Sequence, residues 1–175
     1  MTKWIVDASH SNISFSVKHM MVSKVKGHFG EYEGTIDGNA EDLTGAAIQF
    51  KIDASTINTN STDRDNHLRG ADFFNTEEFP AITFVSTDIV KNGGSKYAIN
   101  GDMTIKGVTK QITFDSQFEG IGKNPWGVEV AGFEAESKIS RKEFDLTWNQ
   151  ALEAGGVLVG DDIKITLDLQ FNPAQ

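Results

Sequence analysis

The chain has 175 residues, no cysteine and a formal net charge of −9. That length fits one domain with a sizeable core, spanning residues 1–175, and 38% hydrophobic against 23% charged residues argues against disorder. The acidic balance excludes general nucleic-acid binding and argues against electrostatic docking on anionic membranes, and the lack of cysteine excludes disulfides, thiolate nucleophiles and zinc–thiolate sites.

No apolar signal-peptide core follows Met1-Thr2-Lys3-Trp4, so the expected compartment is cytoplasmic, or periplasmic or secreted if a leader has been removed. No apolar run approaches the length of a membrane span, and no stable membrane insertion is expected. Phe outnumbers Tyr twelve to two, a bias toward apolar interiors over polar recognition surfaces.

Along the chain the dominant signal is period-2 alternation, the mark of strands with one buried face. It begins with Ile13, Phe15 and Val17. Met20-Met21-Val22-Ser23 then reads as a single helical turn. A strand around Phe29 and Tyr32 carries Gly27, Gly30 and Gly34, read as bulges or a coiled corner, and Asp37-Gly38-Asn39 reads as a reversal. Ala46, Ile48, Phe50 and Ile52 resume the alternation.

The stretch from Ser61 to Phe74 reads as a helix or helix pair. Ser61 would cap it, Asp63 and Asp65 would sit in its acidic first turns, and Gly70 would end its first piece. Pro80 fits the start of a strand continued by Ile82 and Phe84. Asn92-Gly93-Gly94, Lys106-Gly107 and Gly122-Lys123-Asn124-Pro125 read as turns around further strands, one bearing Ile112, Phe114 and Phe118. Gly155-Gly156 through Gly160 also reads as a turn. Ile163, Ile165, Leu167, Leu169 and Phe171 form the last alternating strand. Short strands joined by short turns predict an antiparallel meander closing on itself.

Three polar constellations have a functional and a plain reading. His10, His19, His28 and His67 lack recognisable metal-ligand spacing, with only His19 and His28 expected as neighbours, so no metal is expected. Arg64-Asp65-Asn66-His67 with Asp72 could provide a general base, but no nucleophile elbow accompanies it; the plain reading is a helix tied to the barrel by hydrogen bonds and an ion pair. Lys18, Lys24 and Lys26 form a basic cluster, either a phosphate-binding group or a solvated strand edge.

The ordered blocks Ser11-Asn12-Ile13-Ser14-Phe15-Ser16-Val17-Lys18-His19, Ile52-Asp53-Ala54-Ser55-Thr56-Ile57, Arg64-Asp65-Asn66-His67-Leu68, Asp72-Phe73-Phe74, Gly101-Asp102-Met103-Thr104-Ile105-Lys106-Gly107, Ile139-Ser140-Arg141-Lys142-Glu143-Phe144 and Gly160-Asp161-Asp162-Ile163 run nearly end to end. In this order they resemble the YceI-like family of polyisoprenoid-binding proteins. The resemblance implies an all-β fold: an antiparallel eight-stranded lipocalin-like barrel with one or two short helices. It also implies a non-catalytic protein that carries or stores a polyisoprenoid, an isoprenoid quinone or another long apolar lipid, with no cofactor and with a homodimer as an expectation. The alternatives are a hydrolase or isomerase acting on a hydrophobic substrate at the barrel mouth, and a packed interaction barrel without a ligand.

An eight-stranded barrel can hold one elongated ligand, and strands of about eight residues give a lumen of roughly 26 Å. Burying roughly ten methylenes contributes about 8 kcal/mol before association costs. The residues expected to line this lumen are Phe15, Val17, Met20, Phe29, Ile48, Phe50, Ile52, Phe84, Met103, Phe114, Phe118, Phe133, Trp148, Leu167 and Leu169. Plain core is the competing reading of each. Lys18, His19, Lys24, Lys26, Arg64 and His67 are the candidates for contacting a polar head group.

Overall fold

The computed structural model describes residues 3–20, 22–149 and 159–174. Eleven strands hydrogen-bond into one antiparallel sheet: β1 (Lys3–Val6), β2 (Asn12–His19), β3 (Ser23–Phe29), β4 (Tyr32–Asn39), β5 (Asp42–Asp53), β6 (Ile57–Asn58), β7 (Ala81–Lys91), β8 (Lys96–Ile105), β9 (Val108–Lys123), β10 (Glu129–Ser140) and β11 (Val159–Pro173). The sheet closes where β1 pairs with both β4 and β11.

The eleven strands make eight staves. β1 and β2 form one stave, interrupted by a 3-10 turn at Ala8–His10, and both lie along β11. β3 and β4 form the next, broken at Gly30 and Glu31, and β5 and β6 the third, broken by a 3-10 turn at Ala54–Thr56. β7 to β11 complete a closed, antiparallel eight-stranded barrel.

The alternation predicts faces correctly along most staves, because successive side chains must point to opposite sides. Ile13, Ile36, Ile48, Ile52, Ile82, Phe84, Phe114 and Leu169 all face inward and are buried. Among the described residues there is one α-helix, α1 (Thr62–Arg69). Ser61 caps it, its side chain accepting from the Arg64 amide at 3.3 Å, and the chain leaves the helix at Gly70. α1 and the following turns cover the gap between β3 and β7, which pair with β6 and β5 but not with each other.

Several local expectations are corrected. Met20 and Val22 belong to the β2–β3 hairpin turn rather than a helical turn: Met20 adopts φ +55° and the Val22 amide reaches back to the His19 carbonyl. Met21 lies outside the described residues, as does the glycine-rich turn except for Gly160, which is in β11. The reversal near Gly38 falls at Ala40 and Glu41, after a register shift between Asp37 and Asn39. The turn around Pro125 likewise starts two residues later than Gly122, at Asn124–Gly127, where the Asn124 side chain accepts from the Trp126 and Val128 amides.

Gly27 and Gly34 are seats for aromatic rings, not corners. Gly27 is paired with Phe15 across β2–β3 and Gly34 with Phe50 across β4–β5. A Cβ at either position would stand 2.6 Å from the Phe15 ring or 2.4 Å from the Phe50 ring, so only glycine lets these rings lie flat over the neighbouring strand.

Candidate functional site: an apolar lumen with a polar mouth

The barrel has two unlike ends. At the end formed by the β4–β5 and β7–β8 turns, Trp4, Ala40 and Tyr97 are buried, and the Tyr97 hydroxyl donates to the Glu41 carbonyl at 3.3 Å. Side chains therefore close this end. At the opposite end, α1, the β2–β3 turn and residues 141–149 after β10 surround an opening. Between them lies a cavity of about 280 Å³. That is roughly twenty times the space one water needs, so the lumen is not packed to core density.

The wall is almost wholly apolar. Of the residues expected to line it, Phe15, Val17, Phe29, Ile48, Phe50, Ile52, Phe84, Met103, Phe114, Phe133, Trp148, Leu167 and Leu169 do so. Two ring pairs of the wall meet edge-on, Phe84 on Phe114 at 5.2 Å and Phe133 on Phe171 at 5.8 Å. On β11 alone, the cavity touches side chains from Ile163 to Phe171, about 26 Å along the strand at about 3.3 Å per residue.

Met20 and Phe118 do not line it. Met20 sits at the hairpin tip, 48% exposed, because the turn carries it past the end of the wall. Phe118 lies beyond the last β8–β9 pair, Lys96 with Gln117, and packs on Phe133 at 5.1 Å. Sequence reasoning missed Leu68, Phe73, Phe74 and Leu146, which reach the cavity from the helix and loops, where no period-2 signal exists. It also left out Ile13, Ile36, Ile82, Ile99, Ile105, Ile139, Ile163, Ile165 and Phe171, all on strands whose parity would have found them.

Apart from Ser14 and Ser116, the polar side chains of the wall gather at the mouth. Lys18, His19, Arg64 and His67 border the cavity. Lys24 and Lys26 do not. They alternate with Val25, which does, so they point to the outer face. His28 pairs with Ser14 and His19 with Ser23, so the two histidines are not neighbours. Among the described residues, no three His, Asp or Glu side chains form a metal-holding group.

α1 is fixed to the barrel by a buried chain of hydrogen bonds. Asp65 accepts from the Thr59 amide at 2.9 Å and the Thr59 hydroxyl at 2.6 Å. Arg64 donates to the same hydroxyl at 2.8 Å and to the Thr59 carbonyl at 2.7 Å. Arg69 donates to the Ser55 carbonyl at 2.8 Å. His67 Nε2 lies 2.9 Å from Asp72, and its ring meets Phe73 at 5.0 Å and Trp148 at 4.8 Å. This three-ring cluster forms one lip of the opening.

The Trp148 side of this lip hangs on Arg141, only 2% exposed. Its guanidinium donates to the carbonyls of Leu146, Trp148, Val159 and Gly160, at 2.5, 2.9, 3.1 and 2.7 Å. Burial pushes its pKa below the ordinary arginine value, and the nearby Asp161 charge opposes that shift. The cation thus organises backbone and holds Trp148 at the cavity edge. The signal in the sequence, one arginine in Ser140-Arg141-Lys142, does not distinguish a buried organiser from a solvated charge.

Among the described residues, no helix is long and apolar enough to cross a membrane. The model of the YceI-like domain matches residues 4–171. A UPF0312 protein of Staphylococcus epidermidis is 43% identical over 173 residues, 98% of each chain. The crystal structure of the Campylobacter jejuni YceI protein is similar with a TM-score of 0.76 at 31% identity, covering 90% of both chains. A polyisoprenoid binding domain from Saccharophagus degradans shares the fold, with a TM-score of 0.72 at 13% identity over 98% of each chain. With a family model spanning nearly its whole length and a relative matched end to end, the chain belongs to the YceI-like family.

Proposed function

We propose that this protein binds a long apolar lipid of the isoprenoid class in its lumen and carries or stores it without chemical change. The observation that carries this reading is the cavity itself: a deep space walled mostly by Phe, Ile, Leu and Met, closed at one end, with its charged groups at the mouth. Such a wall holds a chain-like ligand by burial of surface, which needs few directional contacts. The likeness to a fold neighbour described as a polyisoprenoid binding domain supports the same ligand class.

In this reading Lys18, His19, Arg64 and His67 meet the polar end of the lipid, while Lys24 and Lys26 lie outside the binding site. The His67–Asp72 pair is built into the aromatic lip, and Asp72 is the hydrogen-bond partner of His67 among the described residues. That placement fits a structural role better than that of a general base.

Organic extraction of natively purified protein followed by mass spectrometry tests the proposal. A long-chain lipid recovered near one per chain is expected. Protein that yields none, and that fails to take up a polyprenol after delipidation, would overturn it.

A further inference from the structure

The three lysines that the sequence groups together are divided by the fold. Lys18 pairs directly with Lys24 across β2–β3, and Lys26 stands opposite Ser16. All three side chains are exposed, Lys24 and Lys26 on the outer face of the hairpin and Lys18 at the rim of the cavity. Like charges opposite one another in a sheet are destabilising. Among the described residues no carboxylate forms an ion pair with any of the three. The acids on the adjoining strand are engaged elsewhere: Asp162 with Lys138 at 3.3 Å, and Asp161 with the Ser140 hydroxyl at 2.7 Å and the Lys142 amide at 3.3 Å.

The tip that these lysines flank is apolar. Val22 is 87% exposed and Met20 48%, in a sequence that reads Met20-Met21-Val22. This tip borders the mouth of the lumen, since Val17, Lys18, His19 and Val25 line the cavity just behind it. The edge of β3 from Ser23 to Gly27 has no second strand partner among the described residues.

We infer that the β2–β3 hairpin docks the mouth of the barrel onto a bilayer containing anionic lipids. Met20 and Val22 enter the acyl boundary, and Lys18, Lys24 and Lys26 sit at the level of the head groups. Charge complementarity selects this occupant. With a net charge of −9, the chain without these three lysines carries −12, so an anionic surface repels the rest of the body and attracts this corner. The whole-chain charge excludes non-specific adsorption but not this arrangement, because at ordinary salt only charges within about 10 Å of the surface are felt. The inference goes beyond the lumen reading and does not depend on a ligand inside the barrel.

The absence of cysteine makes a direct test available. Single Val22→Cys and Lys123→Cys proteins, labelled with an environment-sensitive fluorophore, are mixed with phosphatidylcholine vesicles or with phosphatidylcholine–phosphatidylglycerol vesicles. A blue shift of the label at position 22 only, on the anionic vesicles only and fading with salt, is expected. Partition measured by flotation should fall about fivefold per lysine replaced by Gln, roughly a hundredfold for all three. Val22→Ser should weaken partition severalfold while the lysine-dependent salt response persists. Circular dichroism confirms that each variant is folded.

Three results would overturn docking: equal partition of the wild type and the triple Gln variant, no partition at low salt, or a response from position 123 at the exposed end of β9 instead. A protein that yields a lipid on extraction yet ignores vesicles refutes the docking alone. One that docks yet takes up no lipid refutes the lumen proposal alone.

Discussion

The closed end and the open end of this barrel are built from the same eight staves but by different physics. At the closed end, Trp4, Ala40 and Tyr97 fill the space between strands, and close packing supplies the stability. At the mouth, the filling is missing and polar scaffolds keep the walls in place: Asp65 and Thr59 under α1, and Arg141 among four carbonyls. A barrel that must hold a guest cannot pack its core throughout. It moves the cost of the empty lumen onto a few buried hydrogen-bonded groups that fix the rim without occupying it.

If that division is right, the largest loss should come from the rim organiser. Arg141→Leu removes donors from four carbonyls, three of them held at 2.9 Å or less. The expected destabilisation is about 3–5 kcal/mol, with a melting temperature lowered by about 10 °C or more. Arg141→Lys should rescue little, because an ammonium cannot present the planar fork that reaches four acceptors. Thermal unfolding of both variants checks this. A near-neutral Arg141→Leu would show that the rim does not depend on the cation.

Next in size is a contrast within the barrel. Tyr97, at 1% exposure, belongs to the packed end, and Tyr97→Ala should cost about 3–5 kcal/mol. Ile165 faces the cavity and is only partly buried, so Ile165→Ala enlarges a space that already exists and should cost about 1 kcal/mol. Denaturant titration gives both values. Equal losses would mean that the lumen wall is packed as tightly as the far end.

The sequence made most of this wall legible because parity is rigid in a strand. Phe15, Val17, Phe50, Phe84 and Phe114 are read from alternation and stand in the wall. The same parity separates Lys24 and Lys26 from Val25, so their outward placement was available too; grouping them by charge with Lys18 obscured it. What the sequence could not show depends on tertiary placement. Phe73 and Leu146 reach the lumen from turns with no period, and Met20 misses it because a left-handed turn residue ends the strand there. The breaks that turn eleven strands into eight staves also carry only weak local signals, such as the Asp7 side chain accepting from the Ser9 amide before the Ala8–His10 turn. Arg141 is the clearest gap, since its importance lies in which carbonyls the fold brings to it.

The smallest effect concerns the outer surface, where the two ends differ again. Toward the mouth, β10 and β11 carry opposite charges in pairs: Lys138 with Asp162 at 3.3 Å and Glu136 with Lys164 at 3.8 Å. Further from the mouth, Glu134 stands across from Asp168 and close to Glu119, and no cation intervenes in that cross-strand pair. The Glu119 charge, then modest desolvation and the Asp168 charge, raise the Glu134 carboxyl above the ordinary glutamate value. A carboxyl with a raised folded-state pKa binds its proton more tightly in the native protein than in the unfolded chain. It therefore costs stability at neutral pH, where both states are ionised. The cost disappears as pH falls through the folded-state pKa and on below the unfolded value, about 4.3. Glu134→Gln should accordingly raise the melting temperature slightly at pH 7, the gain shrinking at high salt and vanishing below about pH 4. Glu136→Gln, which breaks an exposed opposite-charge pair, should do nothing or the reverse. Melting curves of both variants across pH read the difference, and a Glu134→Gln gain that persisted unchanged at pH 3 would assign the effect to something other than the acidic cluster.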